Sequence, residues 1–137
     1  MDDFMNNHAL ALWHEVVASR DVRRLPELIA ADATFHSPVV HTPQQGRDLT
    51  VMYLSAAFHV FFNDTFRYVR ELASAREAVL EFETEIDAIR INGVDMIRWN
   101  DAGQITDFKV MLRPLKAVNL IHQKMGERLQ AHLAKAD

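Results

Sequence analysis

Hydrophobic residues recur every three or four positions in the first part of the chain, which is the spacing of an amphipathic helix. The hydrophobic stripe of this first helix consists of Met5, Ala9, Leu10, Leu12, Trp13, Val16 and Val17. A second, short helix is predicted from Asp21, a suitable N-cap, to Ile29. Residues 33–37 then predict a short strand that ends at Pro38, and helical spacing returns at residues 46–61.

After residue 64 the pattern changes to a period of two, which is typical of strands with one buried and one exposed face. The buried positions predicted for the first two of these strands are Phe66, Tyr68, Leu80, Phe82, Thr84 and Ile86. The exposed face of the second strand is an acidic row of Glu81, Glu83, Glu85 and Asp87. We expect this row to form cross-strand ion pairs with Arg67, Arg98 and Lys109.

The dipeptide Asn92-Gly93 predicts a two-residue hairpin turn, followed by a strand at residues 94–99. A last strand at residues 105–113 buries Phe108, Val110 and Leu112 on one face. Pro114 then suits the start of a closing helix over residues 115–134. Helices thus segregate from a largely antiparallel sheet, and the predicted class is α+β, with room for a pocket between the two layers.

Length and composition narrow the class of protein further. The 137 residues predict a single domain that spans residues 1–137. A net charge of −4 argues against a nucleic acid or an anionic membrane as partner. The absence of cysteine excludes disulfides, thiolate nucleophiles and cysteine-ligated metals. Since we find no signal-peptide pattern and no apolar run of about 20 residues, we expect a cytoplasmic protein.

Two motifs resemble those of the nuclear transport factor 2-like superfamily, which includes the SnoaL-like polyketide cyclases and the ketosteroid isomerases. The first is ADATFHSP at residues 31–38, followed by Gly46 at the start of a helix. The second is VDMIRWN at residues 94–100, with GQI at residues 103–105. The resemblance implies a single SnoaL-like domain, in which a curved antiparallel sheet and packed helices form a cone that encloses a pocket. It also implies a homodimer that pairs through the sheet.

Asp95 matches the position where ketosteroid isomerases keep the carboxylic acid of their oxyanion hole. Burial in an apolar pocket disfavours the charged form of a carboxyl group, so a neutral Asp95 could donate a hydrogen bond to a ligand carbonyl. The alternative is a structural carboxylate that pairs with a backbone amide or with a side chain of the first helix. Asp95 is therefore the first candidate catalytic residue.

Other positions depart from the catalytic residues of these relatives. The isomerases' general base, an Asp before the proline, aligns with Ser37, and a serine without a base cannot abstract a carbon-bound proton at neutral pH. Their helix-one tyrosine aligns with Trp13, whose indole N–H is a poor proton donor. The polyketide cyclases' catalytic Asp aligns with Val110. His36 remains the second candidate catalytic residue, as a base, although strand alternation with Phe35 predicts that it faces outward.

No other pattern of chemistry-bearing residues stands out. The seven histidines include no His-x-His or HExxH motif, so we expect no metal site. The four glycines form no phosphate-binding loop, and we expect no cofactor. The side chains predicted to contact a ligand are Trp13, Ser37, Tyr53, Phe58, Phe82, Ile97, Trp99, Phe108, Val110 and Leu112. The alternative for the aromatic members of this set is ordinary core packing.

The sequence therefore predicts a small-molecule-binding domain whose ligand is apolar and carries a carbonyl or hydroxyl group. If it is an enzyme, an isomerase, cyclase or dehydratase acting next to a carbonyl would use Asp95 as its acid. The first alternative is a non-catalytic ligand-binding protein with the same pocket. The second is a dimeric protein-interaction module whose pocket is filled by side chains.

Overall fold

The computed structural model describes residues 8–136, with side chains up to residue 132. Met5 of the predicted first stripe therefore lies outside the described residues. The helices are α1 (His8–Ser19), α2 (Leu25–Leu28), α3 (Arg47–Phe61) and α4 (Leu115–Ala136). The strands are β1 (Ile29–His36), β2 (Gln44–Gln45), β3 (Arg67–Ala73), β4 (Glu77–Ile86), β5 (Ile89–Trp99) and β6 (Ile105–Arg113).

The six strands form one curved sheet in the order β2-β1-β6-β5-β4-β3. Strands β3 to β6 make an antiparallel meander, and β1 joins it parallel to β6. The α+β class is confirmed. We call the face that carries buried Phe82, Asp95 and Phe108 the inner face, and the face that carries Glu83 and Arg98 the outer face.

Helices α1 and α3 cover the inner face, and the core lies between these two layers. From α1, Trp13 and Val16 are at most 2% exposed, because the stripe predicted for this helix faces the sheet. Leu54 and Phe58 of α3 are also buried. Among residues 8–136, no helix is both long enough and apolar enough to cross a membrane.

The segment between α1 and β1 differs from the predicted second helix. Asp21 does act as a cap, accepting a hydrogen bond from the backbone N–H of Arg23, but the helix it begins is a single 3-10 turn. One turn of α-helix follows, and the chain is already extended at Ile29, with φ −100° and ψ 129°. The predicted boundary was wrong because buried apolar residues such as Leu28 and Ile29 suit either a helix or a strand. Their spacing therefore does not show where the helix ends and the strand begins.

The predicted hairpin at Asn92-Gly93 was also wrong. Strands β4 and β5 pair without interruption from Glu77–Arg98 to Ile86–Ile89, so the turn consists of Asp87 and Ala88. Both turn residues have positive φ, 51° and 65°, as a two-residue hairpin loop of the primed type requires. The sequence signal failed because alanine is rarely found in that conformation.

Substitution of Ala88 by Gly is expected to stabilise the protein. Glycine adopts positive φ without a Cβ clash, whereas Ala88 holds φ 65° at a steric cost. We expect the free energy of unfolding to rise by about 1 kcal/mol, measured by urea denaturation. A decrease would contradict the positive φ at this position.

Gly93 has a different role, which explains why a glycine occurs in the middle of β5. It lies on the inner face between Phe82 of β4 and Leu112 of β6, its cross-strand neighbours. A Cβ at this position would lie 2.5 Å from the Phe82 ring and 2.7 Å from the carbonyl oxygen of Met111. Asn92 faces outward and donates hydrogen bonds to Glu81 and to the Phe82 carbonyl. The dipeptide therefore makes room for an aromatic ring instead of forming a turn.

Substitution of Gly93 by Ala is expected to destabilise the protein by about 2 kcal/mol, because the backbone of Met111 cannot move aside cheaply. Gly126→Ala is the matched control. An added Cβ at Gly126 meets nothing within 4 Å, and alanine favours the helix by about 0.5–1 kcal/mol. Denaturant melts of the two variants should therefore move in opposite directions. Equal stability of Gly93→Ala and the wild type would mean that the Phe82 ring does not occupy this space.

Ion pairs cross the strands of the outer face, and Arg67 with Glu83 is a predicted pair, whereas Arg98 pairs with Glu77, outside the predicted acidic row. Arg67 pairs with Glu83 at 2.8 Å, Arg70 pairs with Glu81 at 2.7 Å, and Arg98 pairs with Glu77 at 2.8 Å. All three arginines are largely exposed, so each pair contributes a few tenths of a kcal/mol. The last member of the predicted row, Asp87, lies in the hairpin turn.

Candidate functional site

An aromatic cleft lies between α1, α3 and the inner face of the sheet. The residues that line it are Trp13, Leu54, Ala57, Phe58, Phe61, Phe62, Phe66, Phe82, Asp95, Phe108 and Val110. Asp95 is the one ionisable group among these described lining residues. The free space between the side chains is about 30 Å³. That volume holds a water molecule, whereas pockets for small organic ligands measure roughly 300–1,000 Å³.

The walls of the cleft are a continuous set of aromatic contacts. Phe62 packs edge-to-face against Phe58 and Phe66, with ring centroids 4.5 Å apart in both pairs. Trp13 contacts Phe58 at 5.6 Å and Phe108 at 5.0 Å. Phe62 and Phe66 are partly exposed, while the other three are buried. The partly exposed rings therefore form the outer wall of the cleft, on the side of solvent.

A chain of hydrogen bonds ends at the one polar group of this cleft. The indole Nε1–H of Trp13 donates to the hydroxyl oxygen of Tyr68 at 3.1 Å. The Tyr68 hydroxyl donates in turn to Oδ2 of Asp95 at 2.7 Å. In the described part of the chain, Tyr68 is the only hydrogen-bond partner of this carboxyl group. No hydrogen bond from a described residue reaches the second carboxyl oxygen, Oδ1.

Burial sets the protonation states of Asp95 and Tyr68. Asp95 is 7% exposed, so desolvation raises its pKa from the ordinary value of 3.8 to about 7, although the Tyr68 hydrogen bond acts in the opposite direction. Burial also raises the pKa of the Tyr68 phenol well above 10, with a further contribution from the Asp95 charge. Near neutral pH the cleft therefore contains a neutral phenol and a carboxyl group poised between its two protonation states.

The structure brings together six of the residues named from the sequence. Asp95 shares the cleft with Trp13, Phe58, Phe82, Phe108 and Val110. Besides His36, the remaining five predicted residues, all ligand contacts, lie outside its lining. Tyr53 stacks on Phe35 with centroids 5.5 Å apart, and the Ser37 hydroxyl accepts a hydrogen bond from the Val39 N–H. Ile97 and Trp99 are buried farther along β5, and Leu112 is partly buried next to Gly93.

His36 lies on the outer face, away from Asp95. Its neighbour Phe35 is 1% exposed and faces inward, so strand alternation turns His36 outward. There His36 Nε2 lies 2.9 Å from Oδ1 of Asp107. The two candidate catalytic residues named from the sequence are therefore not brought together. No group of three His, Asp or Glu side chains suited to a metal ion occurs among the described residues.

Tyr68 is the site residue that sequence reasoning missed. The period of two places it on the same face as Phe66, but does not distinguish it from the other buried positions. A signal was available, because a tyrosine among buried apolar positions needs a hydrogen-bond partner for its hydroxyl group. The partner, Asp95, is 27 positions away and two strands across the sheet. Predicting that Tyr68 meets Asp95 requires the register of β3, β4 and β5. A hairpin turn at Asn92-Gly93 would give a different register for β4 and β5.

The fold and the cleft define a nuclear transport factor 2-like domain, and the chain belongs to the SnoaL-like domain family, whose sequence model matches residues 10–108. A search of curated proteins gave no match. A solved structure described as a steroid delta-isomerase from Pseudomonas aeruginosa is 40% identical, with 95% of each chain covered and a TM-score of 0.88.

Two further solved structures extend the comparison. An uncharacterised protein with a cystatin-like fold from Silicibacter pomeroyi is 32% identical over 94% of this chain and 92% of that chain, with a TM-score of 0.84. SalBIII, an epoxide hydrolase/cyclase-like enzyme of pyran ring formation in the polyether salinomycin, is 18% identical. The match covers 82% of this chain and 95% of the SalBIII chain, with a TM-score of 0.63, so the two proteins share the fold.

Proposed function

We propose that this protein binds a small, mostly apolar molecule in the aromatic cleft and holds its carbonyl or hydroxyl oxygen with Asp95. One observation carries the proposal: a single, buried carboxyl group faces a cleft whose other walls are aromatic and aliphatic. The protonated carboxyl donates a hydrogen bond to the ligand oxygen, and the low polarity of the surroundings strengthens that bond. Tyr68 and Trp13 hold the carboxyl group in position.

Asp95 also suits acid catalysis next to a carbonyl group. A pKa of about 7 allows one carboxyl group both to release and to accept a proton near neutral pH. An isomerase, a cyclase or a dehydratase each needs a proton delivered to an oxygen or to an adjacent carbon. The similarity to proteins described as a steroid delta-isomerase and as a cyclase-like enzyme supports this class of reaction.

Ligand entry requires the cleft to open, because about 30 Å³ holds no organic molecule. Phe62 and Phe66 are the lining rings that can move most easily, since both are partly exposed and lie at the ends of the connection between α3 and β3. Outward rotation of these two rings would join the cleft to solvent. The proposed function therefore includes a closed state, and the structure describes that state.

A non-catalytic ligand-binding protein is the second candidate. Among the described lining residues, Asp95 is the one ionisable group. A reaction in which one group removes a proton and another delivers one needs two such groups, so this lining favours binding without catalysis. The same cleft and the same Asp95 anchor would then serve for binding alone.

Ligand carried through a mild purification tests the binding proposal. Native mass spectrometry of the wild type should reveal a bound small molecule that is lost in Asp95→Ala. Asp32→Ala, which removes the same charge at an exposed position of β1, is the matched control and should retain it. Retention of the molecule by Asp95→Ala would contradict the proposal. Conversion of that molecule by the wild type, but not by Asp95→Ala, would favour the enzyme over the binding protein.

We also propose that two copies pair through the outer face of the sheet. A groove of about 360 Å³ on that face is lined by Leu72, Val79, Val94 and Met111, with charged residues around it. Leu72 on β3 is 64% exposed and Met111 on β6 is 48% exposed, and exposed large apolar side chains on one face of a sheet favour an interaction surface. A second copy would cover both side chains.

Light scattering is expected to give twice the chain mass of 15.7 kDa at micromolar concentration. Leu72→Glu should give the monomer mass, because it would bury a carboxylate in the apolar interface. Val40→Glu, at an exposed apolar position of the loop after β1, is the control that should remain dimeric. A monomer mass for the wild type across a wide concentration range would rule out the pairing.

A further inference from the structure

The residue that ends α1 places a positive charge beside the aromatic cleft. Arg20 has φ 60°, a conformation that favours glycine or asparagine, and its N–H closes the helix on the Val16 carbonyl at 2.9 Å. One of its guanidinium nitrogens, Nη1, donates to the Val17 carbonyl at 3.2 Å. These two hydrogen bonds fix both the backbone and the guanidinium group of Arg20, so the positive charge has a defined position.

The guanidinium group lies against the movable wall of the cleft. Its central carbon is 4.5 Å from the centroid of the Phe62 ring and 5.9 Å from that of the Phe66 ring. Both rings also line the cleft. A guanidinium that contacts a ring keeps its N–H groups pointing outward in its own plane, where they can donate to a further group.

Neighbouring arginines are neutralised, whereas Arg20 is not. Arg23 pairs with Asp21 at 2.9 Å, and Arg24 pairs with Glu27 at 3.1 Å. Arg20 makes no ion pair with any residue whose side chain the structure describes, and it is exposed to solvent. An unpaired cation at the rim of an apolar cleft is a binding group for an anion, because its charge is only partly screened there.

We infer that the ligand of the cleft carries an anionic group, which Arg20 binds at the rim while the apolar part of the molecule enters past Phe62 and Phe66. This inference rests on the proposed function and specifies its ligand as an amphipathic acid, such as a carboxylate or sulfonate. The oxygen at the inner end of the molecule meets Asp95, and the anion at the outer end meets Arg20. The two polar groups would thus fix the orientation of a molecule that is otherwise apolar.

Two fluorescent probes with the same ring skeleton test the inference. The sulfonate 1-anilinonaphthalene-8-sulfonate is anionic, and N-phenyl-1-naphthylamine is its neutral counterpart. We expect the wild type at low salt to bind the sulfonate about tenfold more tightly than the neutral probe. Arg20→Asn should abolish this difference and leave the neutral probe unaffected, while Arg20→Lys should keep most of it. Asparagine suits the positive φ of this position, so we expect the variant to fold.

Two further variants separate the inference from the proposed function. Arg90→Gln removes the same charge from a side chain that is 93% exposed near the hairpin turn, and it should bind both probes as the wild type does. Ala57→Phe fills the cleft and should weaken both probes. If Arg20→Asn binds the sulfonate as tightly as the wild type, or if Arg90→Gln loses as much sulfonate affinity as Arg20→Asn, the role of Arg20 is overturned. Either result leaves the proposed function standing. A neutral probe that does not bind, or that ignores Ala57→Phe, would overturn the proposed function and the inference with it.

Discussion

Replacing Asp95 by Asn is expected to make the protein increasingly more stable than the wild type as the pH rises from 4 to 7. The pKa of Asp95 is raised to about 7 in the folded state, and it is 3.8 when the group is fully solvated. Below pH 3.8 the carboxyl group is protonated in both states and its titration does not affect stability. Above that value only the unfolded chain releases the proton, so folding becomes less favourable until the pH passes about 7.

The expected size of the effect follows from this pKa difference. The free energy of unfolding of the wild type should fall by roughly 3–4 kcal/mol relative to Asp95→Asn between pH 4 and pH 7. For a chain of this length the relative change in melting temperature is on the order of 10 °C. Thermal and denaturant melts of both proteins across this range measure it, with Asp32→Asn as the baseline for the loss of a carboxyl group. A variant that loses stability relative to the wild type as the pH rises would show that Asp95 is an ionised, paired residue.

Isomerisation of a steroid enone by this protein is expected to be at least about 10²-fold slower than by an authentic ketosteroid isomerase, because loss of a general base alone costs 10²–10⁴-fold. The sequence resemblance aligns Ser37 with that base, and the Ser37 hydroxyl accepts a hydrogen bond from the Val39 N–H. Ser37 also lies outside the lining of the cleft. The same resemblance aligns Trp13 with the isomerases' helix-one tyrosine, and the Trp13 indole N–H donates to the Tyr68 hydroxyl.

Initial rates followed by ultraviolet absorbance, with an authentic isomerase measured alongside, test this expectation. A rate within tenfold of the authentic enzyme would mean that another group serves as the base. Loss of that activity in Asp95→Asn would then identify Asp95 as part of the reaction.

The inner face of the sheet could be predicted from the sequence because its pattern is strong. Leu80, Phe82 and Thr84 alternate with glutamates, and all three are buried. A one-residue error of register would turn every glutamate inward, so the pattern leaves little freedom. The inward orientation of Asp95 follows from the same alternation. These periodic features depend only on which residues avoid water.

The turn and the chain of hydrogen bonds could not be predicted in this way. Ala88 holds a positive φ that its side chain disfavours, and only the pairing of the long strands on either side imposes it. Tyr68 meets Asp95 because β3 and β5 both pair with β4, a relation between strands that no local pattern contains. Strand pairing thus overrides the local conformational preference of Ala88, and it brings Tyr68 and Asp95 together although they are distant in sequence.

The parallel pairing of β1 with β6 has a consequence for how the chain folds as it is synthesised. Phe35 finds its partner Phe108 only after the whole meander has been made, whereas β3 to β6 pair with their neighbours in sequence. Contacts between residues far apart in sequence form slowly, since a long loop must close first. Before β6 emerges, β1 can pair only with the two-residue strand β2, so most of it stays open to aggregation and to capture by chaperones.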